Sequence, residues 1–72
     1  MCIGDVIKEE LYKQGHTASW LAERIPCERS NVYHIFSRND IGIELLFRIS
    51  KALNHNFFYD LSEHYKKNEK LL

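Results

Sequence analysis

The stretch ASWLAERIPCERSNVYHIF, residues 18–36, decides how this chain folds. Thr17, just before it, carries the side-chain oxygen that a helix N-cap uses, so a helix is expected from Ala18 to Arg24. Ile25-Pro26-Cys27 ends that helix, because proline has no backbone N–H and drives the preceding residue out of helical geometry. A second helix of the stretch should run from Glu28 or Arg29 to Phe36, with Val32, Ile35 and Phe36 as its apolar face. Two helices this short, joined by a tight turn, must cross closely. The crossing needs a small residue, which is Ala22, and an apolar shell, which Leu21, Ile25, Val32 and Ile35 supply. With that face buried, Arg29, Ser30, Tyr33 and His34 look outward, and each can form hydrogen bonds.

Upstream, Ile3, Val6, Ile7 and Leu11 make one apolar helical stripe within Ile3 to Gln14, leaving Lys8, Glu9 and Lys13 on other faces. Gly15 stands where a helix C-terminus favours a left-handed residue. Downstream, Ser37 to Asp40 reads as a polar loop, and Ile43, Leu46, Ile49 and Leu53 mark a fourth helix. Asn54-His55-Asn56 interrupts it, and Asn56 can cap a fifth helix through Phe57, Phe58 and Leu61. No segment alternates in the manner of a strand, and no repeat or linker divides the chain. The expected fold is all-α, a compact bundle of five short helices over residues 1–64, followed by a basic, frayed tail over 65–72.

Composition narrows the function. A chain of 72 residues builds one small core and no deep substrate cleft. No apolar run approaches the roughly 18 residues of a membrane span. The start, MCIGDVIKEE, lacks the basic and apolar blocks of a secretion signal. The cytoplasm is the expected location, where Cys2 and Cys27 stay as thiols. Cys2, Cys27, His16, His34, His55 and His64 show no metal-site spacing, so neither metal nor other cofactor is expected, and His16 and His55 read as turn residues. Ser30 and His34 stand four apart and can pair a hydroxyl with an imidazole, but no orienting carboxylate or oxyanion site goes with them. No catalytic residue, and no enzyme, is expected.

Charge is the awkward feature. Ten basic and ten acidic side chains give a net charge of zero, whereas nucleic-acid binders draw much of their affinity from neutralising phosphates. Within residues 16–40, Arg24, Arg29 and Arg38 are balanced by Glu23, Glu28 and Asp40. DNA binding needs the fold to sort positive charge onto one face: a stripe through Arg24, Arg29 and Arg38 favours DNA, whereas charges of both signs around the third helix favour a protein-interaction module.

Residues 18–36 resemble the helix-turn-helix of phage-repressor or Cro-type domains, the xenobiotic-response-element family. The resemblance extends outward: IGDVIKEEL is similar to that family's first helix, WLAERI to its second, LLFRISKAL to its fourth and NFFYDL to its fifth. Pro26 departs from the pattern, which usually has glycine in the inter-helix turn, so the turn should differ locally and the second helix end earlier. The resemblance implies a lambda-repressor-like fold with the helix-turn-helix at helices 2–3. It also implies a sequence-specific transcriptional regulator that lays its third helix in the major groove of double-stranded DNA. Carried over residue by residue, it gives base contacts to Arg29, Ser30 and His34, with Glu28 accepting from cytosine or capping the helix. Thr17, Ser19, Asn31, Tyr33, Arg38 and Asn39 fall to phosphate.

Leu45 and Phe47 lie off the inward stripe of the fourth helix, and Phe58 and Tyr59 off that of the fifth. Together they can form an apolar surface for a homodimer. A two-fold dimer sets two recognition helices about 34 Å apart and calls for a palindromic site. Trp20 is expected to pack partly against a neighbouring helix. The alternative reading is a protein-interaction module, or an antitoxin-like partner, that keeps the bundle with weak or no DNA binding. The zero net charge, Pro26 and the apolar excess of the last two helices favour it. Neither reading involves a membrane or a small-molecule ligand.

Overall fold

Helices form in this chain where apolar residues recur at helical spacing. The computed structural model describes residues 1–68. It contains α1 (Ile3–Lys13), α2 (Ala18–Arg24), α3 (Arg29–Phe36), α4 (Ile43–Leu53) and α5 (Phe57–Asn68), with no strand among the described residues. The expected all-α bundle is the fold observed. Helix α5 carries on through Tyr65 to Asn68, so the first four residues of the expected tail are helical. Residues 69–72 lie outside the described residues.

The junctions follow from backbone chemistry. Helix α1 closes on Gly15 at φ 81°. Gly15 N–H donates to the Tyr12 carbonyl at 3.0 Å and His16 N–H to the Leu11 carbonyl at 3.1 Å, the paired bonds that satisfy a helix end. Thr17 then caps α2, its Oγ1 accepting the Trp20 N–H at 3.1 Å. Helix α4 closes on Asn54, left-handed at φ 50°, with His55 N–H donating to the Ser50 carbonyl at 3.0 Å. Asn56 opens α5 by accepting the Phe58 and Tyr59 N–H groups on Oδ1 at 3.1 and 3.2 Å.

The α2–α3 turn solves the same problem without glycine. Cys27 N–H reaches the Ala22 carbonyl at 3.0 Å, the outer bond of the motif seen after α1. Pro26 occupies the place of the inner donor and has no N–H to give. No residue of this turn takes a positive φ. Ile25 leaves helical geometry at φ −108°, ψ 33°. Helix α2 thus ends at Arg24, as expected from Pro26, on one closing bond instead of two.

A single core holds the five helices. Helix α1 buries Ile3, Ile7 and Leu11; α2 buries Ala18, Leu21 and Ala22; α3 buries Val32, Ile35 and Phe36; α4 buries Leu46, Ile49 and Leu53. Phe57 enters from α5 and Ile25 from the turn. No polar or charged side chain is buried among the described residues. Helices α2 and α3 pack most closely, with Ala22 buried in the pair as the crossing demands. Helix α1 also approaches α3 closely, and there Gly4 is indispensable: a Cβ at that position would overlap the carbonyl oxygens of Ile35 and Phe36.

Ile43 corrects the sequence reading. Expected on the inward stripe of α4, it is 77% exposed. Steps of three residues fall about 60° short of a full turn, so Ile43, Leu46 and Ile49 drift round the helix. Leu53 restores the centre of the stripe near Leu46, and Ile43 is left on its margin at the first helical position.

Candidate functional site

Val32, Ile35 and Phe36 lock α3 from behind, which fixes its rotation and turns Arg29, Ser30, Asn31, Tyr33 and His34 to solvent. Ser30 and His34 lie opposite Val32 on the helix, with Arg29 and Tyr33 towards one flank and Asn31 on the other. Among the described residues, no hydrogen bond or ion pair within the chain engages the polar side-chain groups of these five. Ser30 and His34 therefore share the outermost line without pairing, and the arrangement presents donors and acceptors instead of a nucleophile. The Tyr33 ring is steadied edge-on against Phe36 at 5.8 Å, and Phe36 in turn meets Tyr12 at 6.1 Å.

A hollow of about 290 Å³ lies beside α3, and it brings Asn31, His34 and Arg38 together with Cys27 and Leu45. The Arg38 backbone is pinned: its carbonyl accepts both Gly4 N–H and the Cys2 thiol at 3.0 Å. Its exposed side chain thus leaves from a fixed point. Burial raises the Cys27 thiol above its ordinary value, and the Glu28 carboxylate adds to the effect, so Cys27 stays a neutral wall of the hollow at neutral pH.

Glu28 sits at the N-cap position of α3 with φ −80°, ψ 151°, but its side chain makes no capping hydrogen bond. The Asn31 N–H goes instead to the Glu28 backbone carbonyl at 2.9 Å. Capping by the Glu28 carboxylate is thus corrected: its longer side chain leaves the capping place empty and the carboxylate is exposed. Thr17 uses an oxygen lone pair on the α2 cap and keeps its hydroxyl hydrogen free to donate. Ser19 is exposed on α2, and Asn39 is exposed beside a separate apolar hollow lined by Ile3, Ile41, Ile43 and Phe58.

The three arginines of the expected stripe are not held in one place. Arg38 borders the hollow with His34 and Asn31, whereas Arg24 lies over the Trp20 ring and borders a different hollow with Arg48 and Lys51. The four residues of the expected dimer surface divide as well. Leu45 is half-buried beside His34 and Arg38; Phe47, 52% exposed, faces Phe58 across another hollow. Two residues apart on a helix means about 200°, so Leu45 and Phe47 sit on opposite flanks of α4. Tyr59 is exposed and directs its hydroxyl to Glu63 Oε1 at 3.4 Å.

Two arrangements escaped the sequence reading. His55 Nε2 meets Asp60 Oδ2 at 2.6 Å, while its Nδ1 stands 3.6 Å from Glu10 Oε1. Gln14 Nε2 donates to Glu10 Oε2 and to the Leu53 carbonyl, both at 2.8 Å, and so ties α1 to the end of α4. Nothing in the sequence brings positions 10, 14, 55 and 60 together. His16 stacks on Trp20 with ring centroids 3.6 Å apart, across the N-terminus of α2. Trp20 is half-buried against the core edge, as expected.

Among the described residues no group of three or more His, Cys, Asp or Glu is arranged to hold a metal ion. No helix among the described residues is long and apolar enough to cross a membrane. No protein-family model, curated protein or solved structure matches the chain.

Proposed function

We propose that this protein is a sequence-specific DNA-binding regulator that reads the major groove with α3, as a homodimer on a palindromic site. One observation carries the reading. A helix fixed by the core at its back offers five polar side chains with no partner among the described residues, and Arg29, Ser30 and His34 among them suit base edges. Arg29 can place two donors on guanine, Ser30 accepts or donates, and His34 reaches the next turn of the helix. Phosphate contacts fall to Thr17, Ser19, Asn31, Tyr33, Arg38 and Asn39 on the borders. No bond is made or broken; regulation follows from blocking or recruiting polymerase at the bound site.

The test is retention of random-sequence duplex by the pure protein, followed by sequencing. The expected result is an enriched palindrome that an Arg29→Ala/His34→Ala variant no longer selects. Retention of unenriched DNA at low salt alone would reduce the reading to phosphate attraction. No retention by folded protein would overturn it in favour of a protein-interaction module, the reading that the zero net charge supports.

A further inference from the structure

Positive charge in this neutral chain collects away from α3. A hollow of about 590 Å³ between the end of α2 and the outer side of α4 is lined by Arg24, Arg48 and Lys51 against a single acid, Glu44. Pro26 and Phe47 give it apolar walls. Each cation is already held. The Arg24 guanidinium carbon lies 4.7 Å from the Trp20 ring centroid, the Lys51 Nζ lies 5.4 Å from that of Phe47, and Arg48 contacts Glu44 at 3.3 Å. Contacts to a ring face leave the N–H donors of Arg24 and Lys51 available, and no ion pair among the described residues takes them.

We propose that this hollow docks an acidic protein segment whose carboxylates meet Arg24, Arg48 and Lys51 while an aliphatic or aromatic side chain settles against Phe47 and Pro26. Charge complementarity selects the occupant: net positive charge calls for an anion, and the apolar walls call for a ligand that carries hydrocarbon beside its charges. A nucleic-acid backbone meets the first demand and not the second. The hollow also shares no lining residue with the exposed face of α3, which places it outside the surface proposed for DNA. The proposal stands independently of the DNA reading, and a chain engaged by α3 can carry a protein partner on this side at the same time.

The test is selection of binders from a displayed library of random peptides, with the whole chain as bait, followed by titration of the best peptide against the Trp20 fluorescence. The expected peptides are rich in Asp and Glu with interspersed apolar residues. Their binding should weaken at least about tenfold, the value of one charge-assisted contact, in an Arg48→Gln/Lys51→Glu variant. Binding should stay unchanged in Arg29→Ala/His34→Ala, which separates this surface from α3. Both sets of positions are exposed, and circular dichroism confirms that each variant is folded. Peptides without acidic residues, or affinity indifferent to Arg48→Gln/Lys51→Glu, would overturn the proposal. So would displacement of the peptide by random duplex from the Arg29→Ala/His34→Ala protein, which would assign the hollow to phosphate.

Discussion

At the scale of single residues, Gly4 and Cys27 show how much a position can depend on what stands against it. Gly4 faces backbone carbonyls of α3, which cannot swing aside as a side chain would. Gly4→Ala should therefore cost about 1–3 kcal/mol or more despite alanine's better helix propensity, read as a lower urea midpoint with unchanged slope. Cys27 has a folded-state pKa raised above the ordinary 9.0 by burial and by Glu28. As pH rises through the unfolded thiol's range, the unfolded chain binds fewer protons than the folded one, so this group's contribution moves against folding. The stability of the protein relative to Cys27→Ala should fall as pH rises through the ordinary thiol range, measured by urea denaturation at each pH. A difference that stays flat or grows would sink the account. Neither feature was legible beforehand. A glycine inside a helical stripe looks like a weak helix former until its neighbour is known, and the environment of a thiol is entirely tertiary.

At the scale of elements, most of the fold could be read in advance, because the signals are local. Thr17, Gly15, Pro26 and Asn56 are chemically suited to the ends they make: α1 ends, α2 begins and ends, and α5 begins where those residues require. Gly15→Ala places a Cβ on a φ of 81° and should cost more than about 1 kcal/mol, detectable as a lower thermal midpoint. Ile43 shows where pattern fails: a stripe built on steps of three keeps drifting, and its outermost member leaves the core. The candidate site on α3 was legible to the same degree as the helix, since three buried positions dictate which five are exposed. Arg29→Ala/His34→Ala should leave stability within about 0.5 kcal/mol of the parent in chemical denaturation. In the same protein, affinity for a selected duplex should fall by about 1–3 kcal/mol for each base that is no longer read. A loss of folding instead would mean that α3 is held from its outer side as well. The splitting of Leu45 from Phe47 needed only the helical angle, whereas the His55, Glu10 and Asp60 cluster needed the fold.

At the scale of the whole molecule, one small core carries everything. A domain of this length holds roughly 4–11 kcal/mol of stability at about 0.05–0.15 kcal/mol per residue. Phe57 is fully buried and, among the described residues, is the one core residue that α5 contributes. Phe57→Ala should cost about 3–5 kcal/mol, a large share of that stability, and lower the thermal midpoint, as followed by far-ultraviolet circular dichroism. Survival of a sharp, parent-like transition would show that α5 is dispensable to the bundle. Zero net charge is a sum that hides arrangement: Arg38 stands by His34, while Arg24, Arg48 and Lys51 gather elsewhere, so charge favours the protein-interaction reading and the DNA reading rests on the polar face of α3. The anchoring of Cys2 and Gly4 on the Arg38 carbonyl has a practical sequel. An affinity tag fused ahead of Met1 would start within a few residues of that carbonyl, just past the C-terminal end of α3. A handle placed there should be cleaved before binding is measured, so that its bulk is not read as weak binding.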